Sequence, residues 1–164
     1  MKIAILPGSY DPMTVGHLEI ARRASAVYDK IYIAVMINAK KKYMFTMEQR
    51  AEIARATVKD ISNAEVICDS GMLTDLYRRL GACAVVKGVR DDKDIDYENR
   101  MAEYNRSIEP TFNTVYLKSA PEFSDISSTR VRNSILEGEN ISGLVTDSAI
   151  EIIGSLGVDL TKNS

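Results

Sequence analysis

Short apolar runs alternate along this sequence with segments in which apolar residues recur every three or four positions. Runs of the first kind are typical of β-strands, and segments of the second kind are typical of helices that pack one face against a core. The predicted strands are Ile3–Leu6, Ile31–Ile37, Glu65–Cys68, Ala84–Lys87 and Asn113–Leu117. The predicted helices are Val15–Val27, Met47–Val58, Leu73–Leu80, Ile95–Ser107, Ser128–Leu136 and Asp147–Leu156. This alternation predicts an α/β fold with a mainly parallel sheet.

The predicted strands are apolar throughout rather than at every second position, which indicates that helices cover both faces of the sheet. With 164 residues, the chain has the length of one domain. We therefore expect a single Rossmann-like domain over residues 1–164, with five strands in the sheet and helices on both faces. The C-terminal helices, about residues 128–156, are expected to pack on it.

The composition of the chain indicates which kinds of partner and which cellular compartment to expect. The chain carries 21 basic and 23 acidic residues, so a generally basic nucleic-acid-binding protein is excluded. The longest apolar run, Ile31–Ile37, is far shorter than the roughly 20 residues that cross a bilayer, and residues 1–25 contain no signal-type apolar block. We expect a cytoplasmic protein with neither a nucleic-acid nor a membrane partner. Cys68 and Cys83 each lie in an apolar stretch, where buried free thiols are expected in preference to a disulfide.

The strand-to-helix junctions are the places to search for a site, because ligands of an open parallel sheet bind beyond the carboxyl ends of its strands. The first junction runs from Pro7 to His17 and reads PGSYDPMTVGH. Thr14 is a suitable N-cap, Gly16 leaves room for a ligand against the backbone, and His17 is the only histidine of the chain. A helix N-terminus with free N–H groups favours a phosphate site. The alternative is an exposed histidine at an ordinary helix start.

Cations and hydroxyls mark the later junctions. Lys41 lies in a run of three lysines after the second predicted strand, and Lys87 and Arg90 bracket Gly88 after the fourth. Such cations can reach toward an anion in one crevice. The alternative for Lys41 is a solvated run of surface lysines. The alternative for Lys87 and Arg90 is a salt-bridged surface patch. The last junction carries three consecutive hydroxyls, at residues 127–129, and then two arginines. Because one serine suffices to cap the next helix, a second phosphate site is favoured.

Three motifs together resemble a known superfamily. The first junction is similar to the first motif of the HxGH nucleotidyltransferases in its TxGH form, and residues 126–129 resemble their serine-rich second motif. A further block resembles the phosphopantetheine adenylyltransferases in particular. It consists of Lys87-Gly88-Val89-Arg90, Asp96-Tyr97-Glu98 and Met101-Ala102-x-x-Asn105-Arg106.

The chain departs from the pattern of that family at three positions. Lys87 stands where arginine is more common, Ser9 where threonine is common, and Asp125 where an apolar residue is expected. Lysine keeps the charge of arginine but lacks its bidentate fork, so the grip of Lys87 on a phosphate is the role least supported by the resemblance.

The resemblance implies transfer of the adenylyl group of ATP to 4′-phosphopantetheine, which gives dephospho-coenzyme A and pyrophosphate. The acceptor phosphate attacks the α-phosphorus directly and in line, so the protein must orient two polyanions and stabilise charge rather than supply a nucleophile. Mg²⁺ is expected to bind mainly through the ATP phosphates, with no metal site of the protein's own. The resemblance also implies a homo-hexamer.

The resemblance further implies roles for individual residues. Catalytic roles fall to Thr14, His17, Lys41 and Arg90, with His17 stabilising the transition state. Contacts with ATP fall to Ser9, Tyr10, His17, Gly88, Val89, Arg90, Glu98, Phe123, Ser124, Asp125, Ile126, Ser127, Ser128 and Thr129. Contacts with phosphopantetheine fall to Ser9, Lys41, Leu73 and Lys87.

Two other functions compete with this interpretation. A sister nucleotidyltransferase would use another phosphorylated acceptor, such as nicotinate mononucleotide, or CTP. A non-catalytic module that senses nucleotides would be expected to carry a damaged TxGH or ISST motif, and both motifs are intact here.

Overall fold

A five-stranded parallel sheet forms the centre of the protein. The structure is a computed structural model and describes residues 1–157. Its strands are β1 (Ile3–Gly8), β2 (Lys30–Met36), β3 (Ala64–Asp69), β4 (Ala84–Val89) and β5 (Thr114–Lys118). All neighbouring strands pair in parallel, in the order β3-β2-β1-β4-β5. In the central strand, Ile5 stands opposite Tyr32 of β2 and Val85 of β4.

Over residues 1–157, six α-helices follow the strands or extend beyond them. They are α1 (Val15–Val27), α2 (Met47–Thr57), α3 (Leu73–Leu80), α4 (Asp92–Ile108), α5 (Ser128–Leu136) and α6 (Asp147–Ser155). All the predicted boundaries fall within two residues of these, except the start of α4, which was predicted at Ile95. This helix begins three residues earlier because the Asp91 side chain caps it, accepting a hydrogen bond from the Asp94 N–H at 2.9 Å. The first turn of α4 is acidic, so the apolar periodicity that predicts a helix does not extend to it.

Alternate residues of β1 point into separate cores on the two faces of the sheet. Ala4 and Leu6 pack in one cluster with residues of α1 and α2, such as Ile20 and Ala51. Ile5 packs on the opposite face with α3 and with Phe112, which precedes β5. The predicted fold class is therefore confirmed, with the sheet covered by helices on both faces.

The last two helices pack on α2 rather than on the sheet. Ile53 of α2 joins Val131 and Ile135 of α5 and Ile153 of α6 in a third buried cluster. Phe45, which lies just before α2, is buried in the same cluster. This packing agrees with one domain that includes both C-terminal helices, although residues 158–164 of the predicted domain lie outside the described residues.

Both cysteines are free, as predicted, but the prediction that they are buried is wrong. Cys68 lies on β3 at the edge of the sheet, and Cys83 lies just before β4. Both residues are exposed. The apolar residues around each cysteine predicted burial, but one face of an edge strand and the first residue before a strand lack the double cover that a central strand receives.

We predict that α6 unfolds together with the sheet. Ile153→Ala should lower the free energy of unfolding by about 2–5 kcal/mol, because it leaves a cavity in the third cluster. Ile152→Ala makes the same truncation one residue earlier, at a partly exposed site, and should cost much less. Urea unfolding followed by circular dichroism measures both. If the main transition were unchanged in Ile153→Ala, α6 would not belong to the cooperative unit.

Candidate active site

A cavity of about 540 Å³ opens at the carboxyl ends of β1 and β4. It is lined by residues of the first, second, fourth and fifth junctions, at the strand ends where the sequence predicted a ligand site. The predicted site residues that line it are Ser9, Tyr10, Thr14, His17, Lys41, Lys87, Gly88, Arg90, Glu98, Phe123, Ile126, Ser127 and Ser128. Residues from distant parts of the sequence thus meet around one space.

Five predicted site residues do not line this cavity. Val89 is buried in the core, and Leu73 lines a neighbouring cavity. The Ser124 hydroxyl donates to the Pro121 carbonyl at 2.9 Å. Asp125 pairs with Arg130 at 2.9 Å, and the Thr129 hydroxyl accepts from Arg132 at 3.1 Å. In this structure the side chains of Ser124, Asp125 and Thr129 are thus engaged with their own loop or helix.

His17 forms part of the cap of α1. The Thr14 hydroxyl accepts from the His17 N–H at 3.3 Å, and His17 Nδ1 accepts from the Thr14 N–H at 3.0 Å. An Nδ1 that accepts from an amide carries no proton of its own, so the neutral ring has its proton on Nε2. The ring is partly buried, unlike the exposed histidine of the alternative interpretation.

The surroundings of His17 keep it neutral. Burial, reinforced by the nearby Arg90 cation, lowers the pKa of His17 to about 4. Tyr10 packs against the ring edge-on, with the two ring centroids 5.0 Å apart, and its hydroxyl donates to the Leu6 carbonyl at 2.8 Å. Burial also raises the pKa of the Tyr10 hydroxyl, so that side chain is uncharged as well. His17 can therefore offer a neutral Nε2–H donor at physiological pH.

The starts of α1 and α5 converge at the cavity. A Cβ on Gly16 would lie 3.8 Å from the Ile126 carbonyl oxygen and 3.9 Å from Phe123 Cβ, so the glycine permits this close approach. Ser127 caps α5 by accepting from the Arg130 N–H at 3.1 Å, as predicted for one serine of the pair. The Ser128 hydroxyl donates to the Pro12 carbonyl at 2.7 Å and links the two junctions. Two helix N-termini at one cavity favour a bound anion.

Both cations of the fourth junction face carboxylates of α4. Lys87 Nζ lies 3.3 Å from a Glu98 carboxylate oxygen, and Arg90 Nε lies 3.5 Å from one of Asp94. The alternative of a salt-bridged patch is thus correct for Arg90, yet all four residues also line the cavity. Cations balanced in this way can exchange a carboxylate for a phosphate when a ligand binds.

Lys41 reaches the cavity from a loop that Asp11 holds in place. The buried Asp11 carboxylate accepts from the backbone N–H groups of Met44 and Phe45, both at 3.0 Å. Arg132 of α5 donates to the Asp11 carbonyl at 2.8 Å. The Asp11 side chain therefore ties the loop after β2 to the first junction, and the Asp11 backbone carbonyl ties that junction to α5. Lys41 itself stays exposed.

A second cavity, of about 270 Å³, adjoins the first. Lys87, Tyr97 and Glu98 line both. The rest of its wall is largely apolar and includes Met72, Leu73, Val85, Met101, Ala102 and Phe112. The pair of cavities thus suits a ligand with a charged end and a longer, less polar arm.

The sequence did not identify every residue at the cavity as a site residue. Asp94, Tyr97 and Ser119 line the main cavity, and the buried Arg50 lies behind it. Tyr97 stands inside the motif quoted for the family, so that motif was the available signal. Nothing local in the sequence marks Arg50, because its partners are the carbonyls of Ser9 and Met36.

Over residues 1–157, no group of three or more His, Cys, Asp or Glu side chains is placed to hold a metal ion. In the same part of the chain, no helix has both the length and the apolar character needed to cross a membrane.

Comparison with known proteins identifies the family. The model of the cytidylyltransferase-like family matches residues 5–134. A phosphopantetheine adenylyltransferase of Clostridium tetani is 38% identical over 153 residues, which cover 93% of this chain and 96% of that protein. One of Clostridium botulinum strain 657 is 39% identical over 150 residues, 92% of each chain.

A structural comparison supports the fold. A crystal structure described as that of a nicotinate-nucleotide adenylyltransferase from Vibrio parahaemolyticus has a TM-score of 0.73, covers 100% of this chain and 99% of its own, and is 21% identical. At that identity it shows the shared fold alone. The family model, the two clostridial relatives and the motifs at the cavity agree with one another. The chain belongs to the cytidylyltransferase-like family and to the phosphopantetheine adenylyltransferases.

Proposed function

We propose that this protein transfers the adenylyl group of ATP to 4′-phosphopantetheine, giving dephospho-coenzyme A and pyrophosphate in coenzyme A biosynthesis. The observation that carries the proposal is the convergence of two helix N-termini, a neutral histidine and three cations on one cavity. Membership of the phosphopantetheine adenylyltransferases supplies the identity of the acceptor.

The reaction requires orientation and charge stabilisation rather than a protein nucleophile. An oxygen of the acceptor phosphate forms a bond to the α-phosphorus of ATP. The bond from that phosphorus to the bridging oxygen breaks, and its electrons leave with pyrophosphate. The acceptor brings its own anionic oxygen, so the protein has to hold two mutually repelling polyanions in line.

His17 acts on the oxygens of the α-phosphorus in this proposal. Its Nε2–H is the free donor of a ring whose Nδ1 is occupied by the Thr14 N–H. A neutral donor that is already oriented stabilises charge in the transition state without reorganising. Thr14 contributes by fixing the ring and the first turn of α1.

The two ligands occupy different sides of the cavity. We assign ATP to the side formed by Tyr10, Gly88, Arg90, Glu98 and the start of α5. That side includes Phe123, Ile126, Ser127 and Ser128. Val89, Ser124, Asp125 and Thr129, which do not line the cavity, remain ATP contacts only as the family resemblance implies. We assign the acceptor phosphate to Ser9, Lys41 and Lys87. The pantetheine arm then extends along Leu73 in the second, more apolar cavity.

Magnesium enters this proposal as part of the MgATP substrate. Mg²⁺ prefers phosphate oxygens and water, and protein carboxylates supply only one or two of its ligands at such sites. The cavity carboxylates of Asp94 and Glu98 already face Arg90 and Lys87.

The proposal includes a homo-hexamer in the cytoplasm. α4 exposes an apolar stripe: Tyr97, Met101 and Tyr104 are 61%, 43% and 57% exposed. Such a stripe is typical of a surface that another subunit covers. A monomeric mass in light scattering would contradict the assembly.

The cytoplasm is the compartment in which ATP is available to a biosynthetic enzyme.

We predict that phosphopantetheine and ATP are the productive pair and that nicotinate mononucleotide is not a substrate. The block from Lys87 to Arg106, which lines both cavities, distinguishes this chain from its sister enzymes. Pyrophosphate release measured over acceptors and nucleotides tests this. Turnover with nicotinate mononucleotide and none with phosphopantetheine would overturn the proposed function.

We predict separate effects for two cations. Lys41→Ala should weaken binding of phosphopantetheine and Arg90→Ala should weaken binding of ATP, each by roughly 10- to 150-fold, the equivalent of one charged hydrogen bond. Calorimetric titration of each ligand into each variant gives the affinities. Lys42→Ala, one residue along the exposed lysine run, is the matched control and should bind both ligands normally. Loss of ATP affinity alone in Lys41→Ala would reverse the two subsites.

We predict that His17→Ala lowers kcat by about 10²–10³, the usual effect of removing one oriented donor, with a much smaller loss of ATP affinity. The wild-type ring is neutral above its pKa of about 4, so the ratio of wild-type to variant rates should stay constant from about pH 6 to about pH 8. Steady-state kinetics measures both. A kcat within about threefold of wild type would remove His17 from the mechanism.

A matched variant separates the capping role of His17 from its proposed chemical role. Gln49 caps α2 in the same reciprocal way with Thr46, at 3.0 and 3.1 Å, and does not line the cavity. Gln49→Ala and His17→Ala should each cost about 0.5–2 kcal/mol of stability. Only His17→Ala should also lose turnover.

A further inference from the structure

A buried arginine ties the end of the central strand, β1, to the end of its neighbour β2. Arg50 lies on α2 and is 1% exposed. Its Nη1 donates to the Ser9 carbonyl at 2.6 Å and to the Met36 carbonyl at 3.1 Å. Ser9 directly follows β1, and Met36 is the last residue of β2. One guanidinium therefore sets the spacing of the first two junctions.

The same guanidinium supports the far end of the loop that carries Lys41. Its central carbon lies 3.9 Å from the centroid of the Tyr43 ring. The Tyr43 hydroxyl accepts from the Asn38 N–H at 2.6 Å. Burial favours a higher pKa for this hydroxyl, but hydrogen bonds with Asn38 and Ser9 and the Arg50 and Lys41 charges lower the pKa below its ordinary value.

The charge of Arg50 has no ion-pair partner within 4.0 Å among residues 1–157. Its Nε also has no hydrogen-bond partner among those residues. Burying an ion without a counter-ion opposes folding, and an apolar side chain of similar size would pack as well or better. A buried cation is useful beside a cavity that takes an anion, because its field is weakly screened there.

We propose that Arg50 is a positioning residue for the acceptor-phosphate subsite, because its guanidinium holds Ser9 and the Lys41 loop at the spacing that a phosphate needs. This inference rests on the proposed function, which places the acceptor phosphate between Ser9 and Lys41. Arg50 acts through these residues and does not touch the reacting atoms.

The test is Arg50→Lys, with the KM values for the two substrates measured separately. Lysine keeps the charge but cannot bridge two carbonyls and stack on Tyr43 at once. The KM for phosphopantetheine should rise by about tenfold or more, as for a lost charged hydrogen bond, while the KM for ATP stays within about threefold. A purely structural role would lower thermal stability and the active fraction but would leave both KM values unchanged.

Tyr43→Leu provides a second route to the same answer if Arg50→Lys does not fold. It removes the ring and hydroxyl from a partly exposed site and leaves the bonds from Arg50 to the carbonyls. The KM for phosphopantetheine should again rise selectively. Tyr32→Leu is the matched control, because Lys30 lies over the Tyr32 ring at 5.3 Å, away from both cavities.

The outcomes separate this inference from the proposed function. Turnover by the wild-type chain tests the proposed function, whereas the variant-to-wild-type ratio of KM values tests Arg50. Wild-type turnover with an unchanged KM for phosphopantetheine in whichever of the two variants folds would overturn the inference alone. A rise in both KM values by the same factor would also overturn it. Absence of wild-type turnover would overturn both proposals.

Discussion

Two buried charged side chains, Asp11 and Arg50, hold the loops at the carboxyl edge of the sheet. Asp11 binds the backbone N–H groups of Met44 and Phe45, and Arg50 binds the carbonyls of Ser9 and Met36. Buried backbone groups need such partners, and these loops have no strand or helix to supply them. Asp11 accepts hydrogen bonds from backbone N–H groups, whereas Arg50 donates hydrogen bonds to backbone carbonyls. These contacts hold Ser9 and the loop that carries Lys41 beside the cavity.

Burial is the main reason why the histidine of the TxGH motif is neutral at a cavity where two helix N-termini converge. α1 and α5 each direct free N–H groups and a partial positive charge toward the cavity. Burial disfavours a charge on the His17 ring, and the Arg90 cation adds to that effect, so the pKa of His17 falls to about 4. The ring then combines two tasks, because Nδ1 caps α1 while Nε2–H remains available. A positive site built in this way attracts phosphates while the histidine itself stays uncharged.

The candidate site shows both the reach and the limit of sequence motifs. The TxGH and ISST motifs predicted the two helix starts, and the cations at Lys41, Lys87 and Arg90 all line the cavity. The motifs did not indicate that Glu98 and Asp94 balance two of those cations, since that depends on how α4 lies against β4. Nor did they place Val89 in the core, because a residue inside a motif can face away from the ligand.

The sequence by itself determined the order and type of the elements, because apolar periodicity and caps such as Thr14 and Ser127 act over a few residues. It also determined the edge of the sheet at which ligands bind, since parallel strands end together. Only the tertiary structure decided the burial of Arg50, the exposure of Cys68 and the division into two adjoining cavities. These features depend on partners far apart in the chain, whose contact is set by packing and leaves no local pattern.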